Sequence, residues 1–404
     1  MIGLNRWRGG MSVLVCVLAA GRASAQEAQP TANAPDTGFL HRHMARLIDH
    51  LEQGGGDGLY PELGHMIPGA GLIKGGPGYR RHVFGSEGLI DASAAVSARR
   101  YSMARASLEW PHAIADRLAL RGDLEYADAT QINFFGVGDR TTRDAKTNYR
   151  LRHVDVSASA QLRLLDSLAI GAGGGLLRGL DVRRGLSALS PSVEQRFDDR
   201  SAPGLQSQPR YQHLDVFIES DTRDLPAYAR RGGLYRVSAA VYRDVSGSSH
   251  GFRRVETEAT QYVAVAHNSS LAVHGRLAMS QAKTDDSVPF YLLPTLGGGN
   301  TLRGYADYRF RDRNAAFAGA EYTWQVLPLL DAALFTELGT VAATPGDLPH
   351  SRLARDFGFG FRLHSQNRSI GRVDVARGSE GTRIVFSVTA PFRSSHVTHA
   401  PYVP

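Results

Sequence analysis

The chain is poor in thiols, poor in lysine and free of long apolar runs. Its one cysteine among 404 residues is Cys16. That residue lies in the apolar run Ser12–Gly21, which follows Arg6 and Arg8 and precedes Ala23-Ser24-Ala25. A charged start, an apolar stretch too short to span a bilayer and an A-x-A site mark residues 1–25 as a secretory signal peptide. Val15 is not the small residue that lipidation of Cys16 would require. The exported chain therefore carries no thiol, which excludes a disulfide framework and any cysteine-held metal. Lysine is limited to Lys74, Lys146 and Lys283, so arginine supplies nearly all of the 46 positive side chains and the formal charge of +7. Arginine makes bidentate contacts with carboxylate or phosphate, which suits anionic lipid head groups or internal ion pairs. After the signal no stretch approaches roughly eighteen consecutive apolar residues, so no transmembrane helix is expected.

Several chemistries lack the residues they need. A nucleotide-binding loop reads G-x-x-x-x-G-K followed by Ser or Thr, between a strand and a helix. The glycine-rich stretch LGGGNTLRGYADYRFRD, 296–312, has no lysine and no amphipathic helix after it. GSSHG at 247–251 has the G-x-S-x-G spelling of a hydrolase elbow, which functions only at a strand–turn–helix corner. Its flanks, AAVYRDV and GFRRVETE, read as two strands, which makes Ser249 and His250 a hairpin tip. The 15 histidines are scattered without H-E-x-x-H spacing, and no paired carboxylates share a helical frame. No catalytic residue, cofactor, metal or nucleic-acid partner is expected.

What the chain does have is alternation. Residues 26–38, rich in Gln, Ala, Pro, Thr and Asn, read as a linker. In 39–52 Leu40, Met44, Leu47, Ile48 and Leu51 share one helical face, so 26–58 form a linker with a short amphipathic helix. That helix is either a plug or periplasmic cap, or a surface helix without a role. Beyond residue 70 the period becomes two. Val154, Val156, Ala158 and Leu162 alternate with Asp155, Ser157 and Gln161, and Leu271, Val273 and Leu277 with His274 and Arg276. Phe357, Phe359 and Phe361 alternate with Gly358, Gly360 and Arg362, and Ile384 and Phe386 with Arg383 and Val385. Strands of about ten residues, one face apolar and the other small or polar, fit a transmembrane β-barrel better than a soluble sandwich. The expected fold is all-β: an antiparallel outer-membrane barrel of about 16 strands over 59–392, with a C-terminal extension at 393–404.

Four segments are more specific. SDTRDLPAYARRGGLYRV at 220–237 holds Asp221, Arg223 and Asp224 in a turn between strands. LGGGNTLRGYADYRFRD holds Leu302-Arg303-Gly304-Tyr305. ALFTELGTV at 333–341 holds Phe335, Glu337 and Gly339. The pair GRVDVARG and TRIVFSVTAPF ends on Phe392. In this order they resemble the D-x-R-D turn, the V/L-R-G-F/Y loop, the F-x-D-x-G strand and the last two strands of the bacterial surface antigen family. This is the outer-membrane barrel superfamily that includes BamA, TamA, chloroplast Toc-type channels and two-partner secretion pores. Glu337 stands where the family has aspartate, and SSHVTHAPYVP continues past Phe392, the aromatic expected to close the barrel.

The resemblance covers 60–392 and implies a location in the outer membrane of a Gram-negative cell. It also implies that the Arg303 loop folds into the barrel from outside onto acidic groups of the inner wall. The residues support this independently. Alternation along 317–326 turns Tyr322 and Trp324 toward lipid and Glu321 inward, and along 331–339 it turns Leu334 and Leu338 outward and Phe335, Glu337 and Gly339 inward. An odd number of strands follows the loop, so a periplasmic C-terminus puts the loop outside. A buried arginine is tolerable when paired with carboxylates, so Arg303 is expected against Glu321 or Glu337; the alternative is a solvated loop arginine. Gly297, Gly298 and Gly299 are expected to give the backbone freedom to bend. Asp221, Arg223 and Asp224 are expected to form a periplasmic turn network.

The function implied is assembly or translocation of proteins, or insertion of lipids, at the outer membrane. The mechanism implied is a weak seam between first and last strands that opens sideways and thins the bilayer. The partners implied are outer-membrane lipids including lipopolysaccharide, outer-membrane or secreted protein clients, and a separate periplasmic partner. That last partner would replace the family's POTRA domains, for which the stretch between residue 25 and the first strand is too short. The alternative is a passive pore or surface antigen without assembly activity.

Overall fold

The computed structural model describes residues 56–64 and 74–387, except 115, 227 and 366–368. The signal peptide, the 39–52 helix, Phe392 and the 393–404 extension lie outside the described residues. The strands that precede the long loop are β1 (Gly58–Gly64), β2 (Lys74–Val83), β3 (Gly88–Ser97), β4 (Ser102–Ile114), β5 (Leu118–Phe134), β6 (Thr147–Leu165), β7 (Leu168–Arg184), β8 (Tyr211–Asp221), β9 (Gly232–Asp244), β10 (Phe252–Ala266) and β11 (Ser269–Ala282). The loop carries a ladder of its own, β12 (Thr295–Leu296) with β13 (Phe310–Arg311). After it come β14 (Asn314–Leu327), β15 (Leu330–Ala342), β16 (Ala354–His364), β17 (Ser369–Gly378) and β18 (Gly381–Ser387). Leaving β12 and β13 aside, 16 strands form one antiparallel sheet in which each pairs with its neighbours in sequence. The fold is the expected transmembrane barrel. Among the described residues the ladders run unbroken from β1 to β18, and none pairs those two with each other.

Alternation sorts the side chains. On β16, Phe357 and Phe359 are 62% and 51% exposed, while Asp356 and Arg362 on the opposite face of the strand are buried. Leu214, Val216 and Ile218 of β8 face outward against buried His213, Phe217 and Glu219. Exposed aliphatic and aromatic rows opposite a polar interior are what a barrel wall in lipid requires. No described helix is long and apolar enough to cross a membrane. One end has the two-residue turns at 166–167, 267–268 and 328–329 and the longer 222–231, and the other has the long connections at 135–146, 185–210, 283–313 and 343–353 beside short turns at 98–101 and 379–380. Short periplasmic turns and long outer loops are the rule for such barrels. The five strands β14–β18 that follow the 283–313 loop agree with its outer position.

Strand length departs from the expected ten residues. β5, β6 and β7 have 17, 19 and 17 residues. The extra turns of β5–β7 pack an aromatic core in the outer half of the barrel. Phe134, Tyr149, Leu177, Tyr211, Phe252, Phe290 and Tyr291 belong to it. The Phe290 ring lies 4.7 Å from that of Phe134 and 4.9 Å from that of Tyr149. GSSHG connects β9 to β10, as its flanks indicated. His250, 5% exposed, joins three outer loops: Nε2 is 2.8 Å from Ser207 Oγ and Nδ1 is 3.0 Å from the Ser287 carbonyl.

Candidate functional site: the inward loop and its ion-pair cluster

The loop after β11 first buries the one-turn helix Phe290–Leu292, then forms the β12–β13 ladder, and sends its tip, 297–309, into the lumen. Gly297 and Gly298 have φ of +109° and +101°, a region that side chains disfavour. A Cβ on Gly298 would lie 2.5 Å from Asp307 Oδ1. The expected bending role therefore holds for these two glycines. Leu296, Leu302, Tyr305 and Phe310 of the loop join Phe317 and Val341 of the wall in one apolar cluster, which seats the tip before any charge is counted.

Arg303 is 1% exposed. Its Nε donates to Glu337 Oε1 at 2.8 Å, and its Nη1 donates to Glu321 Oε2 at 2.8 Å and Asp374 Oδ2 at 3.2 Å. The backbone N–H of Arg303 adds a bond of 2.7 Å to Glu337 Oε2. The guanidinium carbon lies 3.4 Å from the Phe335 ring centroid, which gives the cation a π face as well as carboxylates. The next residue continues the attachment: Gly304 N–H donates to Asp356 Oδ2 at 2.6 Å. A Cβ on Gly304 would come within 2.7 Å of the Gly378 nitrogen, so the approach to β16 and β17 requires glycine. The Tyr305 hydroxyl donates to the Arg355 carbonyl at 3.1 Å and lies 3.0 Å from Ser379 Oγ.

Two wall cations complete the cluster. Arg362 donates to both oxygens of Glu321, at 3.0 and 2.8 Å, and to Asp374 Oδ1 at 2.5 Å. Arg372 donates to Asp374 Oδ2 at 2.9 Å. Three guanidiniums thus meet Glu321, Glu337 and Asp374, with Asp356 buried beside them on the Gly304 N–H. In so dry a site each ion is tolerable only because its partners are in place. Two further loop arginines anchor the tip's return path. Arg309 donates to Glu380 Oε1 at 2.8 Å and to the Thr141 carbonyl at 2.7 Å. Arg311, 1% exposed, donates to Tyr149 Oη at 3.0 Å and the Phe290 carbonyl at 2.8 Å.

A barrel of this strand number with an outer loop latched inside it can be compared with known proteins. The Omp85 superfamily domain matches residues 83–375, more than half of the chain. The chain belongs to the Omp85 superfamily. Solved structures show the same fold at low identity. Crystalline BamA from Haemophilus ducreyi lacking POTRA domains 1–3 is 15% identical with a TM-score of 0.58, covering 82% of this chain and 70% of that one. CdiB from Escherichia coli is 12% identical with a TM-score of 0.54, covering 81% of this chain and 61% of that one, so the chain spans less than two thirds of CdiB. No curated protein sequence matches.

In this Omp85 barrel Arg303 meets both expected partners, Glu321 and Glu337, with Phe335 under it and Gly339 on the same inward face of β15. The wall residues Asp356, Arg362, Arg372 and Asp374 were not singled out from sequence as partners, nor were Arg309 and Arg311. The one sequence signal of the four wall residues is parity: each falls on an inward position of its strand. Asp221, Arg223 and Asp224 form the expected turn network at the opposite end of the barrel. Arg223 Nε and Nη2 donate to Asp221 Oδ1 and Oδ2 at 2.9 and 2.7 Å. Asp224 Oδ1 accepts from the backbone N–H groups of Leu225, Arg230 and Arg231.

The same turn holds a residue the sequence did not flag. Tyr228 donates from its hydroxyl to Asp331 Oδ2 at 2.5 Å and stacks on His364 with centroids 4.2 Å apart. Burial, and then the bond to Asp331, push the Tyr228 hydroxyl pKa above its ordinary value. The β8–β9 turn therefore reaches across the mouth of the barrel opposite the inward loop, to the ends of β15 and β16.

Proposed function

We propose that this Omp85 barrel assembles or translocates proteins, or inserts lipids, at the outer membrane of a Gram-negative cell, after export on the signal peptide 1–25. The observation that carries the reading is the seated loop. Arg303, Arg309 and Arg311 hold the tip inside the barrel, and the aromatic core around Phe290 fills its outer half. A standing pore has no use for a lumen filled in this way, whereas a barrel that handles a client needs closure at rest. Working partners in this reading are lipids of the outer membrane including lipopolysaccharide, protein clients, and a periplasmic protein that supplies the work of POTRA domains. The route is sideways, through the seam between first and last strands. No catalytic step is part of the reading.

Planar-bilayer recording and crosslinked pull-down of the intact membrane protein test it together. The expected result is a small or flickering current without client, and recovery of a periplasmic chaperone or a secreted protein by crosslinkers placed in 39–52. A large, steady, client-free current with nothing recovered would overturn it in favour of the passive pore.

A further inference from the structure

A second cluster of charge lies apart from the Arg303 hub, under the outer loops. A cavity of about 350 Å³ is lined there by Arg99 of the β3–β4 turn, Arg143 and Lys146 of the β5–β6 loop, Arg383 of β18, Asp307 of the inward loop and Glu380 of the β17–β18 turn. Four of these side chains are cationic and two are acidic. Glu380 is already committed to Arg309, with contacts of 2.8 and 3.0 Å. Arg143 Nη1 donates to the Glu380 carbonyl at 2.9 Å, and the nearest contact of Asp307 with Arg383 is 3.8 Å.

Two donors on the lining of this cavity have no hydrogen-bond partner among the described residues, one half-exposed and one buried. The Lys146 ammonium makes no ion pair or hydrogen bond among the described residues, and Arg383 Nη1 is buried with no hydrogen-bond partner. The crowding acts on Lys146 directly. Burial first, and then the charges of Arg99, Arg383 and Arg143, hold its pKa below the ordinary lysine value. A buried donor left unpaired is costly, and a pocket of this volume is large enough for a small group to fill it. The cavity opens among the outer loops, where Leu189, 92% exposed, and the exposed Thr382 sit on its lining.

We propose that this cavity binds a phosphate group, either free or on the head group of an outer-leaflet lipid. A phosphomonoester carries about 1.5 to 2 negative charges near neutral pH and three strong acceptor oxygens, which matches an excess of several cations better than a single carboxylate does. Arginine forks and a lysine point charge together are the usual means of holding it. Gly304 and Ala306 form part of the same lining. A bound phosphate therefore joins the β5–β6 loop, β18 and the tip of the inward loop, and strengthens the seating of the latch.

The full chain in a neutral detergent serves for the test, with inorganic phosphate, diphosphorylated lipid A and dephosphorylated lipid A as probes. The expected result is saturable binding of at least one phosphorylated probe, one per chain, and no comparable binding of dephosphorylated lipid A. Lys146 is in a loop, so Lys146→Gln should leave heat-modifiable gel migration intact and weaken binding by about tenfold or more, the loss of one charge-assisted contact. Arg383→Gln should weaken it similarly, and Arg100→Gln, outside the lining, should not. Equal affinity for inorganic phosphate and lipid A identifies free phosphate as sufficient, and a large preference for lipid A identifies the head group. Failure of both phosphorylated probes at millimolar concentration, equal binding of the dephosphorylated lipid, or a folded Lys146→Gln chain that binds as tightly as the native one overturns the proposal.

Discussion

Arg303 is a cation held in a nearly dry lumen by Glu337, Glu321 and Asp374. Removing it strands those carboxylates, so Arg303→Ala should destabilise the folded barrel by about 3–5 kcal/mol. Urea unfolding in detergent measures this; a loss below about 1 kcal/mol is what an exposed pair would give and would put the guanidinium in solvent. Arg303→Lys should recover only part of the loss, because an ammonium cannot reproduce the forked contacts to Glu337 and Glu321 together. In the double variant Arg303→Ala/Glu337→Ala the costs should be less than additive, since each single change already breaks the same bond. Gly304→Ala tests the backbone instead. With the Gly378 nitrogen 2.7 Å from the added methyl, the tip should back out of its seat, and a protease should cut 297–309 faster than in the native chain.

Two elements close this barrel, one from each side. Outside, the 283–313 loop is seated by the apolar cluster of Leu296, Leu302 and Phe310 and by the arginines. At the opposite end, the β8–β9 turn spans the mouth through Tyr228, Asp331 and His364. Replacing 297–309 by a short glycine–serine link, which leaves β12 and β13 in place, should turn a small or flickering current into a large steady one in planar bilayers. Tyr228→Ala should raise the current less, because the outer closure remains. Tyr228→Phe keeps the stack on His364 and should lie between Tyr228→Ala and native. An unchanged current in the loop replacement would mean that the tip does not block the path.

Around the Arg303 hub opposite charges are paired inside, and along the strands apolar rows face out. Ion pairs that are buried are screened little by salt, whereas exposed ones are screened within a Debye length of about 10 Å at 0.1 M. The thermal unfolding midpoint should therefore move little when salt is raised to about 1 M, and Arg303→Ala should be about equally destabilising at both salt levels. A native midpoint that falls steeply with salt would show that the cluster is open to water. The two edges of the sheet are β1 and β18. The proposed sideways route runs between those two edges.

Alternation was enough to place Phe357, Phe359, Leu334, Glu321 and Glu337 on their correct faces, because successive side chains of a strand point to opposite sides whatever the rest of the chain does. The glycine-flanked Arg303, between a strand and two strands with inward glutamates, was legible for the same local reason. Parity also turned Arg362, Arg372 and Asp374 inward, yet it could not say that they stand at the height of Arg303. That height depends on the stagger of each strand against its neighbour around the barrel, which is a property of closure and not of any one segment. The span of Tyr228 to Asp331 and His364, the long β5–β7 and the cavity between Lys146, Arg383 and Asp307 have the same origin. Each joins residues whose separation in sequence carries no period, and each exists because the sheet curves until distant strands face one another.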